Sequence, residues 1–318
     1  MERSLARSAL AEATAQLSRA LAQVATLPDT AAHRREQIKL QVALANASMH
    51  TKGYAATETK ASLEQARLYI ERAEALGEPP EDPLLLFSVL YGFWAANFVA
   101  FNGDAMRNLA VQFLELVEKQ SATGPLMIGH RLMGNSLLFT GEIGDCRAQF
   151  DQAIALYDPA EHRPLATRFG QAIALVILSN RALALWLLGY PEAACTDTQH
   201  ALKKAREIGQ AATLMYALSL TTVTHIFCSR YAAAAAQVDE LLALADEKGA
   251  SFWKAFGMMY RGRLLTLTGK ASAAIQMLTS GITAHRSTGS TNWIPSHLSD
   301  LARAYAQLGQ YDDASLAS

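Results

Sequence analysis

The sequence predicts an all-α fold, one right-handed superhelical solenoid of helical hairpins with a period of about 40 residues. Three observations carry this. Ala and Leu dominate and proline numbers only 9 in 318 residues, so local propensity favours helix almost throughout. Apolar residues recur at spacings of three and four, as in Leu202, Ala205 and Ile208 or Leu241, Leu244 and Ala245, which sets them on one stripe of a helix. Turn residues repeat at a fixed step: Gly209, Gly249 and Gly289 are each 40 apart (249 minus 209, 289 minus 249). Gly189, Ser229, Gly269 and Gly309 keep the same step, 20 residues out of phase. Two turns per unit separate two helices per unit. A length prior of roughly 150 residues per domain would allow two domains, but the repeat makes 1–318 a single array.

The elements follow in order. Segments 2–26, 31–50 and 57–76 read as helices bounded by Pro28, Gly53 and the pair Pro79–Pro80; they keep the period least well, so 1–82 is expected to form degenerate hairpins. No charged residue occurs between Asp82 and Asp104, and Leu84 through Phe101 approaches the ~20 apolar residues that span a bilayer. Ser88, Tyr91, Gly92 and Asn97 interrupt that run, and acidic Glu81, Asp82 and Asp104 flank it ahead of the first basic residue, Arg107. A helix sandwiched between neighbours in an array is also apolar all round, and no membrane span is expected. Repeats over 83–189 place turns near Ala100 and Gly141. From Gly141 to Gly189 the step lengthens to 48 (189 minus 141), and the polar stretch Asp158–Pro164 absorbs the surplus as one longer loop near 158–169.

Over 190–318 the period is regular and the text around the turns repeats, as in Gly189-Tyr190-Pro191-Glu192-Ala193-Ala194 and Gly309-Gln310-Tyr311-Asp312-Asp313-Ala314. Ala194, Ala234, Ala274 and Ala314 each stand five residues after a turn, where a small side chain lets the second helix close on the first. Trp253 and Trp293 are expected as core anchors at the starts of first helices. The last repeat stops short at Ser318, and 2–26 reads as a second helix without its first. Both caps are therefore expected to be missing, with self-association or fraying at the uncapped ends.

Composition narrows function. Lys+Arg of 28 against Asp+Glu of 29 gives a net charge of -1, without the basic footprint of nucleic-acid or anionic-membrane binding. Cys146, Cys195 and Cys228 form no Cys-x-x-Cys pair, which argues against a disulfide framework or zinc site and for a reducing cytoplasm; no export signal opens the chain. Thr268-Gly269-Lys270-Ala271-Ser272 imitates a phosphate-binding loop but lacks the earlier glycine and the hydroxyl after the lysine. No two of the eight histidines have metal-ligand spacing on one helix. His225 and Cys228 read as core residues rather than a nucleophile pair, and Asp239, Glu240, Asp246 and Glu247 as a solvated helix face. No catalytic residue, metal or cofactor is expected, and the chain reads as no enzyme.

The units Gly134-Asn135-Ser136-Leu137-Leu138-Phe139-Thr140-Gly141 and Leu301-Ala302-Arg303-Ala304-Tyr305 through Ala314 resemble tetratricopeptide repeats in a long form. Thr26-Leu27-Pro28-Asp29-Thr30, Thr51-Lys52-Gly53-Tyr54-Ala55-Ala56 and Tyr91-Gly92-Phe93-Trp94 extend the likeness. With the repeat text they resemble the C-terminal tetratricopeptide region of large bacterial class III adenylate/guanylate cyclases. Such proteins carry a cyclase domain, then an AAA-like signalling ATPase, then these repeats; neither catalytic domain lies within these 318 residues. The resemblance implies a non-catalytic protein-protein interaction scaffold of a cyclase-linked bacterial signalling system. The alternative it implies is a truncated or detached regulatory fragment of a cyclase, inactive without those domains. The implied partners are a protein or peptide segment in the concave groove, and the cyclase and ATPase domains themselves. By the same resemblance the first helix of each hairpin lines the groove, which nominates Arg131, Asn135, Asn180, Tyr216, Tyr260, Arg263 and Arg303. Arg and Tyr are common interface anchors, although Tyr216 and Tyr260 could equally pack between hairpins.

Overall fold

The computed structural model describes residues 10–78, 82, 84–118, 123–162, 165 and 172–317. Among these the chain is all helix and turn. An opening helix α1 (Leu10–Val24) packs on α2 (Ala31–Thr51), which pairs with α3 (Thr57–Ala75). The hairpins α4 (Leu84–Val99) with α5 (Gly103–Glu118) and α6 (Thr123–Thr140) with α7 (Ile143–Ala155) follow. The longer loop carries one helical turn, α8 (Pro159–His162), while most of it beyond His162 lies outside the described residues. Then come α9 (Ile173–Leu187) with α10 (Pro191–Ile208), α11 (Ala211–Phe227) with α12 (Tyr231–Lys248), and α13 (Ser251–Leu267) with α14 (Ala271–Ser287). The array ends with α15 (Ile294–Gln307) and α16 (Tyr311–Ala317).

The two helices of a hairpin divide the labour. First helices such as α9 and α11 are buried on nearly every side because each packs on its own partner and on the next first helix. Second helices such as α10 and α12 bury one stripe, at Ala194, Thr198 and Ala201 or at Ala234, Val238 and Leu241. The uncharged helix α4 falls in the first class: it buries Leu85, Phe87, Tyr91 and Trp94 against neighbouring helices, and no described helix is long and apolar enough to cross a membrane. Ala194, Ala234 and Ala274 are fully buried at the close approach of paired helices, whereas Ala314 is only partly covered.

The turns show what the 40-residue step encodes. Gly189, Gly209, Gly249, Gly269, Gly289 and Gly309 all have φ between 62° and 84°, the left-handed conformation that ends a helix. Ser229 holds φ 56° at the one place in its series without glycine, and Phe101 holds φ 55°. Phe101 thus corrects the expected turn at Ala100: it is the left-handed residue, 40 before Gly141 (141 minus 101). Lys270 is the N-cap of α14 directly after the Gly269 turn, so the imitation phosphate loop is a hairpin corner. Trp253 lies buried in the first turn of α13, while Trp293 caps α15 from just outside it, with φ 66°.

The concave groove expected from the repeat is closed over, because the array curves until its N-terminal hairpins meet its C-terminal ones. At one seam Ser251 Oγ donates to the Thr51 carbonyl at 2.8 Å across 200 residues of sequence. At the other, the amides of Thr291 and Asn292 donate to the Val99 carbonyl at 2.8 and 2.9 Å, and Thr291 Oγ1 donates to the Ala100 carbonyl at 2.7 Å. Two glycines make the approach possible: a Cβ on Gly289 would lie 2.8 Å from the Ala55 oxygen, and one on Gly53 would lie 2.7 Å from Thr288 Cβ. The ends form a clasp, and the groove becomes the inside of a ring.

Two stability outcomes follow from this packing. Ala194→Leu and Ala274→Leu each overpack a helix pair and are expected to cost about 1–3 kcal/mol in urea denaturation; parent-like midpoints would mean that these alanines do not set the helix spacing. Ser229→Gly relieves a left-handed strain and is expected to add about 1 kcal/mol, read as a higher thermal midpoint.

Candidate functional site

The stripes that the first helices turn inward meet at the centre of the ring. Helix α4 supplies Tyr91, Trp94 and Phe98, spaced three, four and seven residues apart on one face. Helix α6 supplies Arg131 and Asn135, one turn apart; α11 supplies Tyr216 and Ser219; α13 supplies Phe252, Trp253 and Phe256. The clasp adds Tyr54, Asn292 and Trp293. Together they enclose a cavity of about 40 Å³, room for roughly three water molecules.

Its wall is mostly aromatic and locked edge to face. Trp94 stacks on Phe98 at 5.0 Å, Phe98 meets Phe139 at 4.8 Å, and Phe139 meets Trp293 at 5.4 Å across the seam. On the other side Tyr54 contacts Phe252 at 5.2 Å and Trp253 contacts Tyr216 at 5.9 Å. Trp94 is fixed further by Nε1–H donation to Ser136 Oγ at 3.1 Å.

One permanent charge enters this wall. Arg131 is 2% exposed, and its guanidinium carbon sits 5.2 Å from the Tyr91 ring centre and 5.7 Å from that of Trp94, a cation–π arrangement. Burial opposes the charge, but the phenolic oxygens of Tyr91 and Tyr216 beside it hold the guanidinium protonated. Its Nε and Nη1 meet no acceptor among protein atoms. Asn135, fully buried, has no partner at either Nδ2 or Oδ1. Other part-buried arginines are treated differently. Arg181 pairs with Asp197 at 2.8 Å and Asp151 at 2.9 Å, and Arg263 donates to Ser296 at 3.0 Å with Asp300 3.8 Å away. Among the described residues, none of those lining the cavity carries a carboxylate.

The seven nominated residues therefore separate. Arg131, Asn135 and Tyr216 line the cavity. Asn180 stands behind, with Nδ2 donating to Tyr216 Oη at 2.9 Å and to the Val176 carbonyl at 2.8 Å, and it fixes the phenol. Burial pushes the Tyr216 pKa up, so that phenol stays neutral. Tyr260 packs one layer out, between Phe256 and His297, where burial likewise raises its pKa. Arg263 faces α15 and lies over the Phe227 ring at 5.2 Å, and Arg303 is exposed on α15; neither reaches the cavity. The nominated residues were expected to face outward, yet the closed ring buries the first five. The aromatic wall was not nominated as a site, although its spacing on α4 and α13 is visible once the inward stripe is known.

The matches to known proteins agree with this geometry. The tetratricopeptide repeat family matches residues 175–196 and 295–315, two windows 120 residues apart (295 minus 175), which is three periods. No curated protein matches the chain. Among solved structures, a Rap protein complexed with Competence and Sporulation Factor is similar over 99% of this chain and 93% of its own, at 13% identity and a TM-score of 0.63. The apo form of RapI is similar over 88% of this chain and 74% of its own, at 14% identity and a TM-score of 0.51. This is a tetratricopeptide-type helical-repeat fold. At such identities the likeness is one of fold.

Away from the ring, the helical repeat does bring two thiols together. Cys195 near the start of α10 and Cys228 just after α11 approach to 3.7 Å between sulfurs. Burial and the neighbouring Cys195 push the Cys228 pKa up to about 11, which keeps it a protonated thiol and a poor nucleophile. Burial lowers the pKa of His225, so it is neutral and supplies no positive charge to activate Cys228.

The clasp carries a titration. His285 is fully buried against Phe252 and Phe256, with Nε2 3.2 Å from the Asn292 carbonyl and Nδ1 without a partner, and burial drives its pKa from 6.5 down to about 4. The unfolded chain then binds the proton more readily, so this contribution is complete above pH 6.5 and is lost as pH falls toward 4. The expected loss is on the order of 2 kcal/mol. His285→Gln should flatten the fall in urea midpoint between about pH 7 and about pH 5, leaving the share from His225 and His297, whose pKa values burial also lowers.

Proposed function

We propose that this chain is a non-catalytic interaction scaffold that holds a segment of a protein partner against the inward-facing stripes of its first helices, with the clasp parting to admit it. The observation that supports this most is the convergence of Arg131 and Asn135, both deeply buried and both with unpaired polar atoms, on a wall of aromatic residues. Aromatic and arginine side chains in a desolvated centre are the usual anchors of an interface. A fold-mate complexed with Competence and Sporulation Factor is consistent with an array of this fold binding a partner. The resemblance of the repeat text to cyclase-associated repeats supports a partner from a nucleotide-cyclase signalling system, with the cyclase or ATPase domains themselves as candidates. Three free thiols fit a reducing cytoplasm as the place of action.

Selection of a random-peptide display library on the purified chain tests the reading. Recovered peptides are expected to lose at least about tenfold in affinity on Asn135→Leu, a substitution that replaces an unpaired buried amide by an apolar group of similar size and so preserves the fold. Peptides indifferent to Asn135→Leu and to Tyr216→Phe would place binding on another face and overturn the proposal.

A further inference from the structure

We propose that Cys195 and Cys228 form a redox-modification site, at which a low-molecular-weight disulfide converts the two thiols into a disulfide that staples consecutive hairpins. The argument begins with placement. Cys195 lies near the start of α10, in one hairpin, and Cys228 is the C-cap of α11, in the next. One period on, the same two positions hold Ala235 and the C-cap Thr268 (235 minus 195, 268 minus 228), so the repeat does not require sulfur at either. Here both sides of one contact between hairpins are cysteine, and the sulfurs stand 3.7 Å apart. A disulfide brings them to about 2.05 Å. Because Cys228 stands just past the end of α11, the remaining approach falls on a turn residue rather than on a helix interior.

Access and selectivity agree with that placement. A cleft of about 280 Å³ opens beside the pair and is lined by both cysteines, so a dissolved reagent reaches sulfur there. Cys146 is fully buried on α7, and burial pushes its pKa up to about 12, which leaves it outside this chemistry. The raised pKa of Cys228 makes the pair slow to react, so it stays reduced in a reducing compartment and is oxidised only where disulfide accumulates. The steps balance. Cys228 gives its proton to solvent, and its thiolate attacks one sulfur of the reagent; a protein–reagent S–S bond forms, the reagent's own S–S bond breaks, and one reagent thiolate leaves. The Cys195 thiolate then attacks the Cys228 sulfur and expels the second reagent thiolate, an intramolecular step favoured by proximity. The protein thiols lose two electrons and two protons, and the reagent ends as two thiols. The product ties α10 to α11, the helix that carries Tyr216 to the inner wall of the ring. None of this depends on the partner reading above.

The probe is glutathione disulfide on the full chain, reduced beforehand, followed by alkylation of the remaining thiols and mass mapping. The parent is expected to lose two hydrogens, to gain one link between residues 195 and 228 within a single chain, and to keep no glutathione. Cys195→Ser should retain one glutathione on Cys228, because the resolving thiol is gone. In urea, half-oxidation at a fixed glutathione concentration should need at least about tenfold more glutathione disulfide, since the fold supplies the proximity. Oxidation should also raise the thermal midpoint of the parent by several degrees and leave that of Cys195→Ser unchanged. No reaction, a glutathione adduct that persists on the parent without a link, a link to Cys146 or between chains, equal half-oxidation with and without urea, or a lower midpoint after oxidation would each overturn the inference. The parent's link and its urea dependence decide even if the variant fails to fold.

Discussion

The arrangement depends on the closure of the array on main-chain carbonyls, those of Thr51, Val99 and Ala100, by backbone and side-chain donors from its far end. Helix α4 ends at Val99, and like any helix it leaves its last carbonyls without intrahelical donors. The donors come from Thr291 and Asn292, nearly the whole array away, so the C-cap of an early helix is supplied by the loop before α15. Gly53 and Gly289 are at the contact because the backbones approach too closely there for a Cβ. A solenoid of this kind need only touch its nearest neighbours. This one adds a contact between its distant parts, and an open concave face becomes an enclosed one.

Enclosure changes what each inward residue costs. On an open groove Arg131 would keep its hydration and Asn135 would bond water. Inside the ring both lose solvent while gaining too few protein partners, a local conflict of the sort that functional sites tolerate and cores do not. Several neighbouring groups are satisfied, although Ser219 Oγ and Tyr260 Oη are also buried without a partner. Asn180 bonds Tyr216, Ser136 accepts from Trp94, and the aromatic rings meet at ordinary distances and angles. Arg131 and Asn135 place this conflict on one face of α6, beside the aromatic wall.

Much of this could be read from the sequence, for a physical reason. A fixed 40-residue step forces the same left-handed turn at the same place in every hairpin, so the glycines locate the helix ends, and the alternation of first and second helices locates the inward stripe. Arg131, Asn135 and Tyr216 were reachable by that route. Cys195 and Cys228 were not paired by that route, because they stand 14 and 19 residues from the turn at Gly209 (209 minus 195, 228 minus 209) and the step alone does not align them. Ser229 and Phe101 show where the signal thins: the conformation persists where the glycine is gone. Ring closure was not legible. It is the sum of small rotations over every repeat, and the irregular early hairpins contribute to it without any periodic text. Hence Arg263 and Arg303, correctly placed on first helices, still fall outside the cavity, because a stripe predicts the face of a helix and not the curvature that decides which repeats converge.

That curvature also couples the site to the clasp. Arg131 and Trp94 come from the hairpins before the long loop, Tyr216 and Trp253 from those after it, and only the closed ring brings them to one cavity. A ligand touching both groups binds the closed state better than the open one and shifts the population toward closure by its differential affinity alone. A protein segment too large for the cavity does the opposite, because it can be accommodated only when the seams at Thr51 and Val99 have parted. A scaffold that closes on itself thus ties the make-up of its central cavity to the few hydrogen bonds that hold its seams together.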